Sequence, residues 1–184
     1  MAEEIFTQRL RLRPFKRGDL PDVSEIRSHE DVYKWMVTGK WTTLSDAEPF
    51  AEAALSHPER LYHSISLLDR SGLPPQTPTV IGVIGMNQWD GIFFMFHPAV
   101  WGKGYAVEAC HAFIELYFRE NSDRETMEGS FFEGHVASRR VLEKTGFVYS
   151  EERTRETVAL LGEVDPGFLE VHTPVLYVYR KHSE

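Results

Sequence analysis

Hydrophobic and polar residues alternate along residues 5–14, near the start of the chain. Leu10 and Leu12 fall on one side of an extended chain, and arginines alternate with them on the other side. This period of two predicts a half-buried strand that ends at Pro14. Apolar runs bounded by turn residues predict six further strands. These cover 61–68, 79–87, 92–97, 126–133, 147–151 and 171–179.

A period of 3.6 residues predicts the helices. The most regular helix covers 103–119, where the apolar residues form a single stripe. That stripe consists of Ala106, Ala109, Cys110, Phe113, Leu116 and Tyr117. Further helices are predicted after a cap at Asp19, over 47–55 and over 136–145, where Gly146 is expected to close the helix in a left-handed conformation.

The order of these elements is β-α-α-β-β-β-α-β-α-β-β, with a polar loop over roughly 153–170 between the last two strands. The run 92–97 is apolar on both faces, which is typical of a central strand covered on each side. The chain has 184 residues and no internal repeat. We therefore expect a single α/β domain over 1–184, with a mixed central sheet flanked by about four helices.

Charge and cysteine content exclude several classes of function. Asp and Glu number 28 against 20 Lys and Arg, a net charge of −8 that disfavours nucleic acid binding. The only cysteine, Cys110, excludes an internal disulfide and lies on a core stripe, so it is not expected to be a nucleophile. The eight histidines form no H-x-x-x-H pair and join no carboxylate cluster at ligand spacing. We therefore expect no metal site.

No targeting pattern is visible in the sequence. The first four residues are Met-Ala-Glu-Glu, without the basic start and apolar run of a secretory peptide. No stretch approaches the roughly 18 consecutive apolar residues of a membrane span. We expect a cytoplasmic protein without membrane contacts.

The chemistry is concentrated where a strand turns into the long helix, in Trp101, Gly102, Lys103, Gly104, Tyr105 and Ala106. The start of a helix leaves about four N–H groups unpaired, and its dipole favours an anion there. The two glycines would let a phosphate approach the backbone. The spacing matches neither G-x-x-x-x-G-K-[ST] nor G-x-G-x-x-G. The alternative is a glycine-rich turn that binds nothing.

This turn resembles the acetyl-CoA signature Arg/Gln-x-x-Gly-x-Gly/Ala of the GCN5-related N-acetyltransferase (GNAT) superfamily, with Trp101 at the first position. A second block of the sequence resembles a motif of the ribosomal-protein N-acetyltransferase-like (RimJ/RimL-like) subgroup. The block covers 135–147 and reads His-Val-Ala-Ser-Arg-Arg-Val-Leu-Glu-Lys-Thr-Gly-Phe. The subgroup motif begins with Asn where this chain has His135. The segments 9–15 and 80–85 resemble the same subgroup. The resemblance covers about 8–181.

The resemblance implies a fold and a co-substrate. In this family a central strand splays from its neighbour, and the pantetheine arm of acetyl-CoA lies in the gap. The corresponding residues here are Phe94, Met95, Phe96 and His97. The pyrophosphate would bind the backbone of the 101–106 turn, where the Lys103 side chain either adds charge or is only solvated. The second motif implies that His135 contacts the pantetheine.

The resemblance also implies direct attack of an amine on the thioester. Leu142 stands where many members carry a tyrosine acid, so Ser138 is the candidate acid; alternatively it only caps its helix. His135 is a candidate base, a marker of a changed acceptor pocket, or an inert loop residue. Glu133 and His97 are the other candidate bases.

The acceptor is less defined by the sequence. Trp35 and Trp41 either frame an amine or belong to the core, and the acidic residues of 153–170 either attract a cationic amine or are only solvated. We expect a monomer or homodimer that acetylates a small-molecule or peptide amine. The alternative is a non-catalytic acyl-CoA-binding protein, which Leu142 and His135 keep open.

Overall fold

A computed structural model describes residues 3–181; the terminal residues 1–2 and 182–184, which the single-domain prediction includes, lie outside the described residues. The strands are β1 (Ile5–Phe6), β2 (Leu10–Pro14), β3 (His63–Leu67), β4 (Gly82–Met86), β5 (Gly91–Phe96), β6 (Thr126–Phe132), β7 (Val148–Tyr149) and β8 (Pro174–Arg180). The helices are α1 (Leu20–Ser28), α2 (Glu30–Tyr33), α3 (Glu48–Ser56), α4 (Tyr105–Glu120), α5 (Val136–Lys144), α6 (Glu151–Val164) and α7 (Pro166–Val171).

The strands form one mixed sheet in the order β1-β2-β3-β4-β5-β6-β8-β7. All neighbours are antiparallel except β5 and β6. That parallel pair is short, because only Gly91 and Ile92 of β5 pair with β6. The rest of β5 stays paired with β4 as far as Phe96. The carboxyl ends of β5 and β6 therefore diverge, which opens a gap in the middle of the sheet.

Both faces of the sheet are covered, as the apolar run 92–97 predicts. Phe94 and Phe96 pack on one face, in a core that includes Phe113 of α4. Phe93 and Met95 pack on the other face, in the core formed with α1 and α3. The prediction of a central strand covered on both sides is confirmed.

Helix α4 follows the predicted stripe. Ala109, Cys110, Phe113 and Leu116 are all buried against the sheet. Burial raises the pKa of the Cys110 thiol, which keeps it protonated and unreactive. The helix starts at Tyr105 because the preceding Gly104 is left-handed, with φ of +82°.

The polar loop predicted over 153–170 is wrong, because this segment forms α6 and α7. None of α6 is fully buried, and two of the four residues on its half-buried side are threonines, so its stripe is less apolar than that of α4. That side consists of Thr154, Thr157, Val158 and Leu161. Its helical signal is in the caps: the Ser150 hydroxyl accepts the Arg153 N–H and the Asp165 carboxylate accepts the Phe168 N–H. The described residues form seven α-helices, so the predicted number of about four is too low.

Asp19 precedes α1 as predicted, but its side chain does not cap that helix. The carboxylate instead accepts hydrogen bonds from both terminal nitrogens of Arg13 (2.7 and 2.6 Å), from the Ser64 hydroxyl (2.6 Å) and from the Lys16 N–H (2.9 Å). It ties β2, β3 and the entry to α1 together. Within residues 3–181, no helix is both long and apolar enough to cross a lipid bilayer.

Candidate active site

A cleft of about 470 Å³ lies at the gap between the carboxyl ends of β5 and β6. Its walls come from the α2 segment, the end of β5, the turn into α4, and α5. Of the residues predicted from the sequence, those that line it are Trp35, Phe94, Met95, Phe96, Trp101, Gly102, Gly104, Tyr105, Ala106, His135 and Ser138. Most of the predicted cofactor-binding residues are therefore brought together.

One end of the cleft is formed by the turn before α4 that contains Gly102 and Gly104, called the glycine turn. Gly102 and Gly104 have φ values of +74° and +82°, which side-chain-bearing residues rarely adopt. A Cβ added at Gly102 would meet nothing within 4 Å, so the space above this backbone is open. Because the first N–H groups of the 16-residue helix α4 have no partners within the helix, this end of the cleft can accept an anion.

Trp101, which departs from the family motif, ties this turn to β5. Its indole N–H donates to the Phe96 carbonyl at 2.8 Å. Phe96 lies in the part of β5 that has no β6 partner. The indole therefore satisfies one backbone group at the exposed edge of β5 and fixes the glycine turn against the end of that strand.

Arg9 holds the same turn from the other side. Its guanidinium donates to the Lys103 carbonyl at 2.9 Å and to the Glu108 carboxylate at 2.6 Å. Glu108 also accepts from the Thr7 hydroxyl and from the Arg9 N–H. Burial alone would raise the pKa of Glu108, but these bonds hold it below its usual range. The sequence analysis missed this network, because its members lie far apart in the chain.

His135 and Trp35 form the opposite wall of the cleft. Their rings are stacked, with centroids 4.3 Å apart and planes within 16°. Nδ1 of His135 accepts the Ser138 N–H at 3.5 Å and so caps α5. Burial, and then the positive charge of Lys34, lower the pKa of His135 to about 4. The imidazole is therefore neutral at neutral pH.

Ser138 and Leu142 are four residues apart, so they lie on the same side of α5 on successive turns. Ser138 is half-buried and lines the cleft, and its hydroxyl makes no hydrogen bond within the described part of the chain. Leu142 is buried and packs directly on Gly129 of β6, where an added Cβ would be only 2.9 Å from the Leu142 side chain. The Leu142 position therefore faces the core.

Four of the predicted site residues do not line the cleft. Glu133 is exposed, and its N–H donates to the Thr173 carbonyl. Lys103 is also exposed. Trp41 is buried in the core with α1 and α3, where the Arg27 guanidinium lies over its ring. The fourth, His97, is buried and lies against side chains of the α1–α2 region.

The cleft has basic walls that the sequence analysis did not identify. Lys34, Arg140 and Lys144 line it, with Asp31 as the only acidic residue among the lining residues of the described chain. The acidic residues that either attract a cationic amine or are only solvated lie on α6, α7 and their ends, outside this lining. They are Glu151, Glu152, Glu156, Glu163, Asp165 and Glu170. An excess of positive charge in a protein of net charge −8 suits a phosphate-bearing ligand.

A comparison with protein-family models shows which family the chain belongs to. A family model described as an acetyltransferase (GNAT) domain matches residues 9–148. The chain belongs to the GNAT acetyltransferase family. A search of curated proteins finds no match.

Solved structures show the same GNAT fold. An acetyltransferase from Agrobacterium tumefaciens str. C58 is 21% identical with a TM-score of 0.73, over 98% of this chain and 96% of that one. A ribosomal-protein-S5-alanine acetyltransferase from Vibrio fischeri is 14% identical with a TM-score of 0.66, over 97% and 96%. AAC(6')-Ib in complex with ribostamycin and coenzyme A is 16% identical with a TM-score of 0.66, over 94% and 93%. The predicted fold is confirmed, whereas the ribosomal-protein subgroup stays a prediction.

Proposed function

We propose that this GNAT protein is an acetyl-CoA-dependent N-acetyltransferase that acts on a primary amine of a small molecule or peptide. The observation that carries the proposal is the continuity of the cleft. The β5 edge that has no β6 partner runs directly into the glycine turn at the start of α4. A ligand with an extended amide-containing arm and a diphosphate would match both parts.

The two parts of the cleft have different roles in this proposal. Phe94 and the N–H of Phe96 would offer backbone groups to the pantetheine arm. Met95 instead pairs with Val83 of β4, and the Phe96 carbonyl accepts the Trp101 indole N–H. The N–H groups of the 101–106 turn would bind the pyrophosphate, and the nearby cations Lys34, Arg140 and Lys144 would favour the phosphates electrostatically. Trp101 would act by fixing the turn rather than by contributing charge.

In the reaction, the amine nitrogen bonds to the thioester carbonyl carbon, and the carbon–sulfur bond then breaks. Backbone N–H groups of β5 would stabilise the negative oxygen that forms between these steps. The free Ser138 hydroxyl would protonate the departing thiolate. The amine proton would pass to water; His135 is less suited to accept it, because its pKa is lowered to about 4 and its Nδ1 lone pair accepts the Ser138 N–H. Glu133 is less suited as the base, since it lies outside the cleft lining.

The acceptor side would be bounded by the stacked rings of Trp35 and His135. Trp41 would act only indirectly, since it is part of the core. The similar structures name both a ribosomal-protein-S5-alanine acetyltransferase and a complex with ribostamycin, so their likeness does not separate peptide from small-molecule amines. The motif at 135–147 supports the ribosomal-protein-acetylase-like subgroup.

The test is calorimetric titration with acetyl-CoA, CoA and adenosine diphosphate, followed by a thiol-release assay with small amines and short peptides. We expect acetyl-CoA to bind more tightly than the nucleotide fragment and thiol release to depend on an amine. Binding without thiol release for any amine would favour the non-catalytic acyl-CoA-binding alternative. No binding of acetyl-CoA would refute the proposal.

A further inference from the structure

Three side chains that the proposed reaction does not use meet beside the cleft: Glu25, His29 and His97. The Nε2 atom of His29 lies 2.9 Å from a Glu25 carboxylate oxygen and 3.2 Å from Nε2 of His97. Nε2 of His97 lies 3.2 Å from the same carboxylate. The three groups therefore form a closed triangle of potential ligand atoms.

The triangle joins two distant parts of the chain. Glu25 and His29 are one helical turn apart at the end of α1, and His97 directly follows β5. This explains why spacing along the sequence predicted no metal site. The Glu25 and His29 side chains are 43% and 37% exposed, whereas that of His97 is 10% exposed. One side of the triangle is therefore open to solvent.

The close contacts of this triangle converge on the Glu25 carboxylate. Nδ1 of His97 accepts the Ala99 N–H at 3.1 Å, so the proton of a neutral His97 is on Nε2. If His29 also carries its proton on Nε2, both imidazoles donate to the Glu25 carboxylate while their two nitrogens stay 3.2 Å apart. The second Glu25 oxygen lies 3.2 Å from Nε2 of His97 but is buried without a hydrogen bond.

We propose that Glu25, His29 and His97 bind a divalent transition-metal ion, with zinc as the best match. Two imidazole nitrogens and a carboxylate are common zinc ligands, at bond lengths of about 2.0–2.1 Å. Ligand atoms at the corners of a tetrahedron of that size lie about 3.3 Å apart. The observed separations of 2.9–3.2 Å are close to that value. Water would occupy the fourth position on the exposed side.

Metal binding has a specific consequence for His97. Its Nε2 must lose the proton in order to bind the ion, so the proton moves to Nδ1. Nδ1–H would then face the Ala99 N–H, whose nitrogen is 3.1 Å from Nδ1, so binding requires the turn at 97–99 to rearrange. The Ala99 amide resonance is therefore a reporter of binding that does not depend on enzymatic activity, and the site would link α1 to the end of β5.

The test uses the untagged full chain, freed of metal and titrated at pH 7 with Zn²⁺ by calorimetry and with Co²⁺ by visible absorption. We expect one equivalent of Zn²⁺, the intense visible bands of four-coordinate cobalt, and a shift of the Ala99 amide resonance. His29→Asn and Glu25→Gln should each weaken binding at least about 100-fold, more than the usual loss of an outer-shell partner. Both residues are partly exposed, so these variants should fold.

His57→Asn is the matched control. His57 lies 2.9 Å from Glu59, a similar histidine–carboxylate pair with no third ligand in the described residues. We expect this variant to bind like the parent. Failure of the parent to bind one equivalent of Zn²⁺, weak six-coordinate cobalt bands, or undiminished binding by His29→Asn would each overturn the proposal.

Discussion

The two halves of the cleft are built in different ways. The half that we propose for the cofactor, called the cofactor half, comes from one continuous stretch, the end of β5 and the turn into α4. The acceptor half depends on a contact between Trp35 and His135, which are far apart in the chain. The cofactor half is held by backbone geometry and hydrogen bonds, the acceptor half by stacked side chains. Side chains can change without altering the backbone, so substrate choice can vary while the cofactor half is kept.

The largest expected effect is a loss of acetyl-CoA affinity, caused by a substitution in the cofactor half. Gly102→Glu should place a carboxylate where the diphosphate is proposed to bind. Two unit charges about 4 Å apart near a protein surface repel by about 4 kcal/mol, or about 1,000-fold in Kd. Calorimetric titration with acetyl-CoA measures this loss. Gly102 is a cleaner position than Gly104, since a side chain at Gly104 would meet Arg9.

Gly72→Glu is the control for that change. Gly72 has φ of +80° and open space around it, like Gly102, but it lies in the loop between β3 and β4. The charge change and the backbone strain are therefore the same. If both variants kept full affinity, the glycine turn would not be the phosphate site.

The next largest effect is expected on kcat, for a substitution at the junction of the two halves of the cleft. Ser138→Ala should lower kcat by about 100-fold, the lower end of the range for a general acid, because water can partly replace the hydroxyl. The KM for acetyl-CoA should stay nearly constant. Steady-state kinetics with one fixed amine measures both, and Ser71→Ala in an exposed turn is the control. An unchanged kcat would remove Ser138 from the reaction.

A smaller effect, on the KM for the amine, is expected for a substitution in the acceptor half. Trp35→Ala removes the ring that stacks on His135. Such a contact contributes about 0.5–1.5 kcal/mol, so the KM for the amine should rise up to about tenfold. The Kd for acetyl-CoA should change less. Trp89→Ala, which removes a 68% exposed indole, is the control. If acetyl-CoA binding weakened while the amine KM did not, this wall would belong to the cofactor half.

The remaining effect concerns pH and acts on the stability of the fold rather than on binding or turnover. Burial, and then Lys34, lower the pKa of His135 to about 4, whereas a free imidazole titrates near 6.5. Between these values the unfolded chain binds a proton that the folded chain does not, so this residue favours unfolding as pH falls from about 6.5 to 4. His135→Asn should lack this contribution. Calorimetric Tm values at pH 7 and 4.5 should show a smaller loss for the variant than for the parent, and equal losses would contradict the lowered pKa.

The lowered pKa of His135 also predicts where the catalytic rate would change with pH. If His135 is the base, its step in the pH–rate profile belongs near pH 4 and not near 6.5. A step near 6.5 that disappears in His135→Asn would show that the imidazole titrates freely in the working enzyme.

Sequence patterns predict the sheet and the glycine turn because both depend on local features. The strand 92–97, the stripe of α4 and the left-handed Gly146 all follow from residue type and spacing. The helix α6 was missed because none of its residues is fully buried and threonines occupy half of its half-buried side, so its apolar periodicity is weak. Only its cap at Ser150 carried a signal.

The missed site residues have a different physical cause. Arg9 reaches the glycine turn through the contact between β2 and α4, which no spacing rule contains. Trp41 has the residue type of a binding aromatic, but the fold places it beneath Arg27 in the core. Which side of a helix or loop faces a cleft depends on tertiary packing, so composition does not determine it.

The most direct test of this account is amide hydrogen exchange with and without acetyl-CoA. The account predicts slower exchange of the Phe94 and Phe96 amides on the β5 edge and of the amides in the turn at 101–106, because the pantetheine and the pyrophosphate would occupy these backbone groups. Exchange in α6 and α7 should not change. Binding of acetyl-CoA with no added protection in either of the first two segments would contradict it.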